Sequence, residues 1–187
     1  MKTHILPAIK LSIISMLVFV VFYTLLVWGI GLVIAPNHGN GEVVQVNGKV
    51  VGYKLVGQSF TKPKYFNGRP SAVAYNAAGS GGSNKGPSNP DYLKAVQLAI
   101  DTFLINNPTV KKEDVPVELV TASGSGLDPD ISPKAAAVQI PRIAKARNIS
   151  EDKLKTLVEK HTEKPLLGFL GPQHINVLLL NVDLDKQ

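Results

Sequence analysis

The sequence predicts an α+β fold: a single N-terminal transmembrane helix followed by one compact extracytoplasmic α+β domain. Three observations carry the prediction. Leu11 to Ala35 is a run of twenty-five residues without a charge. Beyond it, VVQVNGKVVGYKLVG alternates around Asn47-Gly48, as a β-hairpin does. Further on, Asn89-Pro90 and Ser132-Pro133 each open an apolar stripe of helical period.

The apolar run comes first. A helix crosses the hydrocarbon core with about 20 apolar residues, so residues 11–35 are long enough to span with some tilt. A cleaved leader has an apolar region of only about 7–15 residues, and Pro36 follows Val33-Ile34-Ala35 at once, so the segment reads as a retained anchor. Lys2 and Lys10 precede the span, and the next Lys or Arg is Lys49. That asymmetry leaves residues 1–10 as a short cytoplasmic N-terminus and exports the rest. Trp28 stands close enough to the far end to serve as an interfacial residue. Gly29 and Gly31 offer a smooth patch for a neighbouring helix.

Residues 36–41 (PNHGNG) form a polar linker and residues 42–187 the domain. Its hairpin gives way at Gln58 to a long irregular stretch reaching Asn89, rich in Gly, Pro, Asn and Ser. Phe60, Tyr65, Phe66 and Tyr75 lie within it, and four aromatics argue for an ordered loop. Asn89 as N-cap, Pro90 at N1 and Asp91 then start a helix. Its stripe is Leu93, Val96, Ile100, Phe103 and Leu104, and Asn106-Asn107-Pro108 ends it. Val117 to Thr121 reads as a short buried strand. Ser132-Pro133 opens a helix through Ala146, kinked at Pro141. Ser150 caps a further helix with Leu154, Leu157, Val158 and His161 on one face, and Ile175 to Leu184 reads as a strand.

Composition removes some functions. With no cysteine there is no disulfide scaffold, thiolate metal site or Cys nucleophile. The formal charge is +6, and Val43 to Pro90 holds six basic residues and no acid. Such a stretch suits lipid head groups, an acidic protein face or plain solvent, and an exported domain does not ordinarily meet nucleic acid.

Two Gly-rich loops imitate catalytic motifs and fail. Counted from Gly79, a phosphate-binding loop would need Gly where Asn84 stands and Ser or Thr where Gly86 stands. In TASGSGLDPDISP, Gly124-x-Gly126 lacks the third Gly of a dinucleotide fingerprint, since position 129 is Pro. Ser125 lacks the Gly two residues before it that a nucleophile elbow needs. Asp128 and Asp130 are too few for a calcium loop. No two histidines have metal-site spacing. The alternative reading of a different class is a membrane-anchored periplasmic hydrolase using Ser125, Asp128 and His161.

The fragments also resemble a family in order along nearly the whole chain: Gly57-Gln58-Ser59-Phe60, Gly68-Arg69-Pro70-Ser71-Ala72, Ser80-Gly81-Gly82-Ser83-Asn84, Thr121 to Pro129, Gln139-Ile140-Pro141-Arg142 and Asn176-Val177. The sequence is similar to the C subunits of the Kdp potassium-transporting P-type ATPases. Asn67 departs from the pattern, which has an aromatic before Gly-Arg-Pro-Ser. The resemblance implies a non-catalytic subunit of a high-affinity potassium uptake complex in the inner membrane, supporting assembly and activity of the pump. Its implied partners are a channel-like potassium-binding subunit, a P-type ATPase subunit, a small membrane subunit and the lipid bilayer. It implies no cofactor of its own. By family attribution it implies a contact with ATP that raises the ATPase subunit's affinity, and Gln139 is the matching position. The N-in topology argues against that contact. Arg69, Asn84, Ser123, Gly124 and Asp128 in the domain, with Gly29 and Gly31 in the anchor, are the candidate partner contacts.

Overall fold

The computed structural model describes residues 2–187. The chain forms two units, one ending at Glu42 and the other Val43–Gln187.

The first unit is helical: α1 (Lys2–Met16), a π-helical stretch (Leu17–Phe22) and α2 (Tyr23–Ile34). In the π stretch the ladder widens to i→i−5, so the Tyr23 N–H donates to the Val18 carbonyl. His4–Ile34 is a continuous apolar helix of 31 residues, long enough to cross a membrane, with none of it buried inside the unit. An apolar helix with no buried face has its solvent outside the protein. Pro36–Gly39 then closes one 3₁₀ turn.

The second unit opens with the predicted hairpin. Strands β1 (Val43–Val46) and β2 (Lys49–Tyr53) pair antiparallel, and the register slips between Val44 and Gln45. Asn47 and Gly48 have φ of 51° and 75°, the left-handed pair that a two-residue turn requires. Helix α3 (Pro90–Asn106) starts where its cap predicts, with the Asn89 side chain accepting from the Tyr92 N–H at 3.1 Å. None of its residues is fully buried, and Leu93 of the expected stripe is half exposed.

Three expectations are corrected. Val117 to Thr121 is not a strand: Pro116 precedes a single 3₁₀ turn, Val117–Leu119, and the Thr121 N–H and hydroxyl both donate to the Val117 carbonyl. The helix opened by Ser132 is not continuous through Ala146. It breaks into α4 (Pro133–Ala137) and α5 (Ile140–Arg147), because Pro141 offers no N–H to the turn before it. Ile175 to Leu184 is not one strand either. Only Asp130–Ile131 (β3) and Ile175–Asn176 (β4) pair, antiparallel, before helix α7 (Val177–Leu184) begins. Asn176 caps α7 by accepting from the Leu179 N–H.

Helix α6 (Glu151–Lys160) starts after Ser150 as expected, with no side-chain cap bond. The core gathers Ile140 and Ile143 of α5, Leu154, Leu157 and Val158 of α6, Leu180 and Leu184 of α7, and the loop residue Phe66. A residue from the long irregular stretch therefore stands at the centre of the core, fully buried.

Candidate functional site

Phe66 and Asn67 carry the site's geometry. Both are irregular backbone, and two buried side-chain amides, one from a helix and one from the break between two helices, pair with them as a neighbouring strand would. Asn181 of α7 accepts from the Phe66 N–H at 2.9 Å and donates to the Phe66 carbonyl at 2.9 Å. Gln139, in the break between α4 and α5, accepts from the Asn67 N–H at 2.8 Å and donates to its carbonyl at 3.1 Å. The Gln139 amide also donates to the Ala135 carbonyl at 3.0 Å and accepts from Arg142 Nη2 at 2.8 Å. A carboxamide has two N–H groups and two lone pairs. All four are used inside the chain, and Gln139 is fully buried.

Arg142 completes the clamp. Its Nε–H donates to Asn107 Oδ1, Nη1 to the carbonyls of Pro63 and Tyr65, and Nη2 to Asn67 Oδ1 and Gln139 Oε1. All five of its donors therefore meet neutral acceptors. Burial without a carboxylate pulls its pKa down to about 10, which still leaves it charged at neutral pH. The Asn67 amide also donates to the Phe60 carbonyl. Arg147 holds the same loop from α5, donating to the Lys64 carbonyl at 2.7 Å and to Asp185 Oδ1 at 2.6 Å.

Held this way, the chain leads into two Gly-rich loops that interlock. Gly57 N–H donates to the Leu127 carbonyl at 2.7 Å, and Gly81 N–H and the Ser80 hydroxyl donate to the Ser125 carbonyl at 2.8 and 3.0 Å. Two glycines make the approach workable. A Cβ on Gly57 would lie 2.5 Å from the Asp128 carbonyl oxygen, and one on Gly126 (φ +68°) 2.7 Å from that of Gly81. Arg69 pairs with Asp128 at 3.1 Å, both about a quarter exposed, and its carbonyl accepts from the Tyr75 hydroxyl at 2.7 Å. Burial raises the Tyr75 pKa. Ser123 is buried, with its N–H on the Pro70 carbonyl. Asn84 and Gly124 are exposed on these loops.

The arrangement offers loop backbone, small side chains and one ion pair. Ser125, Asp128 and His161 are not joined by any hydrogen bond. Ser125 Oγ accepts from the Leu127 N–H, Asp128 serves Arg69 and the Asp130 N–H, and His161 ends α6 in a 2.9 Å contact with Asp183. A nucleophile and its base must be within hydrogen-bond reach of each other, so the hydrolase alternative has no support. Among the described residues no group of three or more acidic or histidine side chains is placed to hold a metal ion.

A family model described as K+-transporting ATPase, c chain, matches residues 5–186. This chain belongs to that family. It is 55% identical over 183 residues to the potassium-transporting ATPase KdpC subunit of Flavobacterium johnsoniae, covering 98% of each chain. It is 52% identical over 188 residues to that of Bacteroides fragilis strain ATCC 25285, spanning 100% of this chain and 98% of the relative. With that of Clostridioides difficile the identity is 44% over 204 residues, spanning 100% and 98%.

Within this c-chain family member, Gly29 and Gly31 do not form one patch. Residues two apart lie about 200° around an α-helix, so each glycine thins a different side of α2, with open space around it. Sequence reasoning missed the clamp residues Arg142, Arg147 and Asn181 as a group. Their backbone partners lie 37 to 115 residues away, and no local pattern announces such pairs. It also missed the apolar hairpin tip at Leu166–Leu170. The available signal was Pro165 to Pro172, eight residues without a polar side chain.

Proposed function

We propose that this chain is a non-catalytic subunit of a potassium uptake ATPase, anchored by one helix and acting through its folded domain as a rigid interaction platform. The observation that carries the reading is the clamp. Two buried carboxamides and two arginines fix residues 63–67 against α5 and α7, and the interlocked Gly-rich loops leave from that fixed point. Such preorganisation lowers the ordering entropy of docking a protein partner.

The partners that fit are the channel-like subunit, the ATPase subunit and the small membrane subunit of the same complex. The charge asymmetry around the span supports an N-terminus in the cytoplasm and a domain outside the inner membrane, capping the outer mouth of the channel-like subunit. Basic residues at a cation entrance would repel the substrate, so Lys62, Lys64 and Lys85 face an acidic partner surface or solvent. The saturated amide of Gln139 has no donor or lone pair left for a nucleotide. An increase in ATP affinity would then arise in the ATPase subunit, as a consequence of assembly.

Deletion of residues 1–36, followed by purification through a tag on the ATPase subunit, tests the reading. It predicts loss of this chain from the purified complex. Retention of the truncated chain at unchanged yield overturns the anchoring role.

A further inference from the structure

The hairpin between α6 and β4 exposes its apolar side chains. Glu163 and His174 bridge its foot, and Leu166 and Leu170 bridge its neck. At the tip Leu166, Leu167, Phe169 and Leu170 are 70, 75, 74 and 50% exposed, the highest local concentration of bare apolar side chains in the Val43–Gln187 unit. Leu167 and Gly168 have φ of 55° and 83°. For leucine that left-handed conformation is unfavourable, and here the turn bonds around it hold it in place.

Two features say what covers the tip. From Pro165 to Pro172 no side chain carries a hydrogen-bonding group, so a protein partner would find no polar contact to set its register. The backbone is meanwhile largely self-sufficient. Leu166 and Leu170 exchange N–H···O bonds at 3.1 and 2.9 Å, Gly168 N–H donates to the Pro165 carbonyl at 2.9 Å, and Phe169 N–H to that of Leu166 at 3.3 Å. Internal pairing of this kind is what a water-poor lipid environment demands of a polypeptide.

Tether length and charge agree. Only Pro36 to Glu42 separates the spanning helix from β1, and seven residues reach at most roughly 25 Å. The domain therefore stays within reach of the bilayer whichever side it occupies. Residues 164–173 hold one basic side chain, Lys164, and no acid. Lysine stems lie along apolar surface with the ammonium at headgroup level, where anionic lipids favour it.

We propose that Leu166–Leu170 is a membrane-dipping tip that seats the folded domain in the interfacial layer of the bilayer. The inference needs the membrane anchor alone, and no partner subunit. Because the chain has no cysteine, Leu167→Cys or Phe169→Cys gives a single labelling site in the full chain. Each is labelled with an environment-sensitive fluorophore and reconstituted, without partners, into bilayers of phosphatidylcholine and phosphatidylglycerol. Lys153→Cys on α6 is the control.

The expected result is blue-shifted emission at both tip positions, lost on adding lipids with a quencher high on the acyl chain, and neither change at the control. Emission typical of water and insensitive to those lipids overturns the proposal. So does a label that is wet in the lone chain and shielded only in the assembled ATPase, which would assign the tip to a protein partner. Either failure leaves the co-purification test of the subunit role untouched.

Discussion

Replacing Gln139 by alanine separates a structural clamp from a nucleotide ligand. The substitution removes the partners of the Asn67 N–H, the Asn67 and Ala135 carbonyls and one Arg142 N–H, all inside the fold. Leaving a buried polar group unsatisfied costs about 1–3 kcal/mol. Three backbone groups losing a partner together, with relaxation and other contacts offsetting part of the cost, give a loss of about 3–4 kcal/mol, and the emptied volume adds to it. For a domain of this size that is a fall in Tm of about 10 °C. The assay is thermal unfolding of the full chain in detergent, paired with the ATP dependence of potassium-stimulated hydrolysis in the assembled complex. The clamp predicts the Tm fall, with any lost activity following the fraction of complex assembled and KM for ATP unchanged in what remains. An unaltered Tm with a raised KM for ATP would refute the reasoning and restore Gln139 as a nucleotide contact.

Gly126→Ala puts a Cβ 2.7 Å from the Gly81 carbonyl oxygen at a φ of +68°, so the loops must part; the cost is about 2 kcal/mol, read as a lowered denaturant midpoint. Asp183 accepts from Lys186, His161 and Lys160, and those bonds hold its carboxyl well below the usual carboxylate range. A depressed folded pKa gives stability that is full above the unfolded value near pH 4 and is lost as pH falls through the folded one. Asp183→Asn should therefore lower Tm at pH 7 and show a shallower Tm decline than the parent below about pH 4; parallel curves would contradict the linkage.

Parts of this molecule were legible because a local residue leaves the backbone little choice. Asn47-Gly48 demands a left-handed turn, and Asn89-Pro90 and Ser132-Pro133 announce helix starts by supplying a cap and a preset φ. Helix α7 was not legible. Its apolar positions (Val177, Leu178, Leu180, Leu184) sit in a nearly continuous apolar run that suits a buried strand or a buried helix equally. The decisive signal was Asn176 as a cap. The α4–α5 break was half legible: Pro141 marked the place, but not that the break turns Gln139 inward. For the candidate site, the sequence named the loops, and it named Arg69 and Asp128 separately as partner contacts, whereas the structure pairs the two with each other. The clamp stayed hidden because Asn181 and Phe66 meet across 115 residues.

Photo-crosslinking tests the platform most directly. A photoreactive residue at Asn84 or Gly124 sits on the exposed loops, and a Cβ at Gly124 meets nothing within 4 Å. The same residue at Lys153 on α6 is the control. In membranes holding the whole ATPase, the account predicts crosslinks from Asn84 and Gly124 to another subunit and few from Lys153. Strong crosslinking from Lys153, with none from the two loop positions, would contradict it.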